Sequence, residues 1–155
     1  MPLAIAAAAV VVIAAVVIIM LERGSGRSTV APVNAAADPY AANLPISNLQ
    51  MSESSNLAGG KVTYLDGHLA NKGDRTVTGI SVQVLFRNPA QEVAQNETHA
   101  LSVIRTRDPY VDIEPLSAAP LKPGEERDFR LIFDRVVPDW DGAYPQLRVL
   151  HVQFQ

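Results

Sequence analysis

Three patterns of apolar and polar positions follow one another along this chain. From Pro2 to Leu21 (PLAIAAAAVVVIAAVVIIML) no side chain is charged, and Glu22 is the first ionisable residue. A helix of about 20 residues rises about 30 Å, the thickness of a bilayer's hydrocarbon core. Residues 1–21 therefore predict a transmembrane anchor helix. A cleaved signal peptide fits less well. No Lys or Arg precedes the run, the run exceeds an ordinary signal core, and the best small-residue cleavage pattern, Ala35-Ala36-Ala37, lies far beyond it. A soluble helix apolar on every face needs a large protein around it, and this chain has 155 residues. Ile and Val carry the insertion, while Ala4, Ala7, Ala8, Ala14 and Ala15 fill the span or let a second helix approach.

Residues 22–45 (ERGSGRSTVAPVNAAADPYAANLP) keep no period of 2 or 3.6 and are dominated by Gly, Ser, Ala and Pro. That pattern predicts a linker holding a domain off the membrane. From Ile46 onward, short runs are separated by turn signals, as in a sandwich or barrel. Strands are expected over Ile46 to Glu53, Lys61 to Ala70 with a kink at Asp66-Gly67, and Thr76 to Arg87. A long polar edge strand should run from Glu92 to Ile104. Two more strands should follow, around Phe129, Leu131 and Phe133 and over Leu147 to Phe154. Alternation is clearest where Ile80, Val82, Val84 and Phe86 share one face and Ser81, Gln83 and Leu85 the other. In the last strand, Leu147, Val149 and His151 are expected opposite Arg148, Leu150, Val152 and Phe154. Residues 105–120, with three prolines, read as irregular, and residues 138–145 as a loop holding Trp140, the only tryptophan. No helical period persists after residue 45. Residues 46–155 therefore predict an all-β domain: six or seven antiparallel strands in two sheets, an immunoglobulin-like β-sandwich behind one N-terminal transmembrane helix.

Composition narrows the chemistry. The net charge is −3, with no basic stripe and no Lys/Arg cluster interleaved with aromatics, so nucleic acid is not an expected partner. Cysteine is absent, which excludes disulfides, thiol catalysis and cysteine-ligated metals while leaving the compartment open.

Two motifs carry a resemblance. Gly67-His68-Leu69-Ala70-Asn71-Lys72-Gly73-Asp74-Arg75-Thr76-Val77-Thr78-Gly79-Ile80-Ser81-Val82 resembles the N-x-G hairpin of small bacterial immunoglobulin-like domains of the FxLYD type. Leu121-Lys122-Pro123-Gly124-Glu125, followed by Phe129, resembles the L-x-P-G-E turn of the same group. Val62-Thr63-Tyr64-Leu65-Asp66 only approximates the FxLYD signature itself. With Asp139-Trp140 and Tyr144-Pro145, the pattern also looks like an uncharacterised bacterial family of membrane-anchored domains. The resemblance covers Ile46 to Phe154 and implies a fold and a surface location, with no catalytic residue. Orientation is contested within the sequence. Arg23 and Arg27 follow the anchor, which by the positive-inside rule alone draws the domain to the cytoplasm. Glu22 offsets Arg23, and the linker and domain type favour the extracytoplasmic, periplasmic side, which is the expectation here.

Other constellations are weaker. Asp108, Asp112 and Glu114 put oxygen ligands in one loop but lack the spacing of a calcium loop, and a solvated acidic loop is the simpler reading. His68, His99 and His151 are scattered without metal-ligand spacing. No G-x-S-x-G elbow or phosphate-binding glycine loop is present, and Asn96-Glu97-Thr98 matches a glycosylation sequon by chance. Trp140 and Tyr144 place aromatics on one loop, and Tyr110 lies in the irregular segment. These three are the candidate partner-contact residues, although Trp140 also suits a plug over one end of the sandwich. The expectation is a non-enzymatic, single-pass interaction module of the bacterial envelope, without cofactor or metal. Its partners would be membrane lipid through residues 2–21 and another envelope or membrane protein. Two alternatives stand beside it: an accessory subunit whose helix packs within a larger membrane complex, and a ligand- or calcium-binding sandwich.

Overall fold

A computed structural model describes residues 30–55 and 59–155. The anchor expected over residues 1–21 lies outside them, as does the first part of the expected linker. Among the described residues no helix is long and apolar enough to cross a membrane. After a short 3₁₀ turn at Pro39–Asn43 come eight strands: β1 (Ile46–Ser55), β2 (Lys61–Ala70), β3 (Val77–Arg87), β4 (Val93–Ala100), β5 (Ser102–Thr106), β6 (Asp112–Pro115), β7 (Glu126–Phe133) and β8 (Gln146–Phe154). All pair antiparallel, in a five-stranded sheet of order β1-β2-β7-β5-β6 and a three-stranded sheet of order β4-β3-β8.

The period-2 pattern explains the core. Leu65 and Leu69 from β2, and Phe129, Leu131 and Phe133 from β7, meet Ile80, Val82, Val84 and Phe86 from β3, with Val149 and Val152 from β8. All are buried, and together they form one apolar layer between the sheets. Phe86 and Phe133 stack edge to face with centroids 5.1 Å apart.

Four expectations change in the structure. The expected strand from Glu92 to Ile104 is two strands, one in each sheet. Leu101, buried and bonded through its amide to the Ile80 carbonyl at 2.9 Å, is where the chain crosses over. The segment 105–120 contains β6, paired with β5. The alternation along β8 breaks where its pairing with β3 slips between His151 and Val149, so Val149 and Val152 both face the core. Finally, β2 runs unkinked against β7, with Gly67 directly opposite Phe129. The irregularity lies instead on β1, between Ser47 and Gln50, where Asn48 adopts φ 52°. Gly67 is required by packing: a Cβ there would lie 2.4 Å from the Phe129 ring and 2.9 Å from Leu49.

The part of the expected linker within the described residues, 30–45, is bound to the domain. It crosses the outer face of the three-stranded sheet, held by side chains that bond its main chain. Asn96 donates to the Ala31 carbonyl at 2.8 Å, Gln83 to the Pro32 carbonyl at 2.8 Å, and Arg148 to the Ala35 carbonyl at 2.8 Å. Asp38 then meets the outer edge of β8. Its amide donates to the Val149 carbonyl, and its carboxylate accepts from the Val152 amide, both at 2.9 Å. The same carboxylate caps the 3₁₀ turn by accepting from the Tyr40 amide at 2.8 Å. Leu44 enters the core.

This strap explains why Gln83, on the face of β3 that points away from the core, is fully buried. It also explains the Asn71-x-Gly73 motif. The Tyr40 hydroxyl donates to the buried Asn71 at 3.1 Å, and a Cβ on Gly73 would lie 2.1 Å from that hydroxyl. Asn71 in turn donates to the carbonyls of Arg75 at 2.7 Å and Leu121 at 3.0 Å, closing the hairpin onto the Pro123-Gly124 turn.

Candidate functional site

The sandwich presents two candidate surfaces. The first is the outer face of the five-stranded sheet. In the register of β2 with β7, Asp66 faces Arg130 and His68 faces Asp128, so opposite charges stand directly across from one another. Arg130 grips Asp66 with both arms, Nε to Oδ1 at 2.6 Å and Nη2 to Oδ2 at 2.8 Å, and its guanidinium lies 4.6 Å over the Tyr64 ring. Arg107, at the start of the loop between β5 and β6, reaches Asp128 at 2.8 Å and Asp66 at 3.5 Å. The His68 ring is bracketed, Nδ1 by Asp128 at 2.9 Å and Nε2 by Glu126 at 3.1 Å.

Carboxylates only accept, so a doubly protonated imidazole satisfies both contacts. The Asp128 and Glu126 bonds accordingly raise the His68 pKa above 6.5. Arg107, then His68, hold Asp128 below the usual carboxylate range. Asn48, Gln50 and Gly67 complete an open hollow of about 210 Å³ beside these groups. Its two carboxylates are each already engaged by a cation, so the network fixes the Arg107 loop to the sheet.

The second surface is the pair of loops carrying the candidate aromatics. Asp141 shapes the loop between β7 and β8: its carboxylate accepts from the Ala143 amide at 2.9 Å, a turn closed by a side chain, and its amide donates to the Arg87 carbonyl at 2.9 Å. That geometry folds Trp140 back. The indole packs edge to face on Phe86 at 5.6 Å and donates to the Ala143 carbonyl at 2.9 Å. It forms one wall of a hollow of about 240 Å³ with Met51, Ser52, Glu53 and Thr63. Tyr144 is 61% exposed and Tyr110 is 83% exposed. The fold does not unite the three. Trp140 sits near Thr63, at the start of β2, whereas the Tyr110 loop is tied by Arg107 to Asp66 and Asp128 farther along the same sheet.

Asp112 pairs with Arg105, away from any convergence with Asp108 and Glu114. His99 bonds Glu97 at 2.7 Å and stacks on Phe133, while His151 is exposed on β8. Among the described residues, no group of three His, Asp or Glu side chains is arranged to hold a metal ion. Asn96 of the sequon is engaged by the strap. Sequence reasoning missed the Asp66–Arg130 and His68–Asp128 pairs. The signal existed, since Asp66 and His68 alternate with buried Leu65, Gly67 and Leu69, but their partners lie some 60 residues away and emerge only with the register.

Over residues 41–145 the chain matches the family described as protein of unknown function, DUF2393, and it belongs to that family. No curated protein and no solved structure matches it.

Proposed function

We propose that this member of the DUF2393 family is a non-enzymatic interaction module. Residues 2–21 hold it at a membrane of the bacterial envelope, and it contacts a second envelope or membrane protein through its loops. The observation that carries this reading is the exposure of Tyr110 and Tyr144 on loops braced by the sandwich, Tyr110 through the Arg107 network and Tyr144 through Asp141. Tyrosine presents a large contact area at small entropic cost and is enriched among the residues that dominate interfaces. The uncharged run Pro2 to Leu21 supports the anchor. The strand orders β1-β2-β7-β5 and β4-β3-β8 correspond to the A-B-E-D and C′-C-F arrangement of immunoglobulin domains. That correspondence supports the immunoglobulin-like reading and its likeness to FxLYD-type domains. The immunoglobulin-like domain type supports the periplasmic side, against the pull of Arg23 and Arg27 toward the cytoplasm.

Full-length protein purified from solubilised membranes is the test. It should bring down one protein in stoichiometric amount, and Tyr110→Ala with Tyr144→Ala should lose that protein at unchanged melting temperature. Repeated isolation of the chain alone would count against the proposal.

A further inference from the structure

The strap changes how far the domain can stand from its anchor. With residues 22–45 as a free linker, the path from Leu21 to Ile46 would extend up to about 88 Å. With the chain fixed to the domain from Ala31, the path from Leu21 ends after at most about 35 Å. The attachment is central to one face. Ala31 is bound by Thr98 and Asn96 of β4 and by Gln83 of β3, in the middle of the three-stranded sheet. Two packed sheets lie about 10 Å apart, so with a side-chain layer on each the sandwich is roughly 20 Å thick. Turning the opposite face to the bilayer would carry the tether over a sheet edge and past that thickness, consuming nearly all of its length.

We infer that the strap is an orienting device: it turns the β4-β3-β8 sheet toward the membrane and presents the outer face of the five-stranded sheet, with the Arg107-braced Tyr110 loop, away from it. The face bearing Tyr64, Arg130 and His68 is thus the side from which the Tyr110 loop meets its partner, while Tyr144, beside Leu85 and Gln146 of the three-stranded sheet, reaches it from the membrane-proximal side. The paired charges of the outward face suit a protein surface better than anionic headgroups, which call for clustered Lys and Arg. This rests on the membrane reading proposed above.

The chain has no cysteine, so single labels are unambiguous. Full-length protein carrying a donor dye at His151→Cys on β8, or at Ser52→Cys on β1, is reconstituted into phosphatidylcholine vesicles containing headgroup-labelled acceptor lipid. Transfer from position 151 should exceed that from position 52. Inserting a Gly/Ser segment of about 16 residues after Gly26, which restores the longer reach while keeping the strap, should lower both and abolish the difference. Equal transfer from the two sites, greater transfer from position 52, or a difference that survives the insertion overturns the inference. Protein that fails to float with the vesicles overturns the membrane reading instead.

Discussion

Replacing Trp140 with alanine separates its two possible roles. The indole is partly buried against the core, edge to face with Phe86 at 5.6 Å, and its N–H is bonded within its own loop to Ala143. Truncating a fully buried Trp costs about 3–5 kcal/mol, and an aromatic pair accounts for about 0.5–1.5 kcal/mol of such a loss. At partial burial the expected cost is about 2–3 kcal/mol. For a folded unit of this size that corresponds to a fall in melting temperature of roughly 8–12 °C, read by circular dichroism of the full chain in detergent. Trp140→Phe, which keeps the edge-to-face contact, should recover more than half of the loss. Tyr110→Ala and Tyr144→Ala, at exposed positions, should move stability by no more than about 0.5 kcal/mol. An unchanged melting temperature for Trp140→Ala would refute the plug and return Trp140 to the partner surface.

Further outcomes follow from the packing and the charges. Gly67→Ala places a methyl group on the Phe129 ring and should cost about 1–3 kcal/mol in thermal unfolding; combined with Phe129→Leu the loss should be less than additive. Stability should be greatest in mildly acidic solution. His68, with its raised pKa, contributes fully below its ordinary value of 6.5 and loses that contribution as pH rises through its folded value. Asp128, with its lowered pKa, contributes above its ordinary value of 3.8 and loses it as pH falls through its folded value. His68→Gln should therefore flatten the alkaline limb of a melting-temperature profile and leave most of the acid limb. Asp38→Ala removes the acceptor of the Val152 and Tyr40 amides, and should cost about 1 kcal/mol and speed hydrogen exchange at Val152.

Local alternation made most of the sandwich legible in the sequence. Ile80, Val82, Val84 and Phe86, and then Phe129, Leu131 and Phe133, declare their buried face at period 2, and Asn71 to Asp74 declares its turn. What stayed hidden depends on partners distant in the chain. Gly67 reads as a kink until Phe129 lies across it. Glu92 to Ile104 reads as one polar strand because the only sign of the crossover is a single apolar residue, Leu101. Residues 30–45 read as a linker because their first part is held through its main chain, by Gln83, Asn96 and Arg148 acting on carbonyls, and the side chains that dock the rest, Asp38, Tyr40 and Leu44, follow no period of 2 or 3.6. Tyr110, Trp140 and Tyr144 look equivalent in sequence. Only Asp141 closing its turn onto Ala143, and Phe86 beneath the indole, divide a partly buried aromatic from two exposed ones.

The most direct measurement is photo-crosslinking in alkali-washed membranes from cells expressing the full chain with benzoylphenylalanine at position 110. An anchored interaction module predicts that the chain stays in the washed pellet and gives one discrete adduct with a second protein, and that the same probe at Asp134, just past the C-terminal end of β7, gives none. Release of the chain into the wash, or a retained chain with no adduct from position 110, would contradict it.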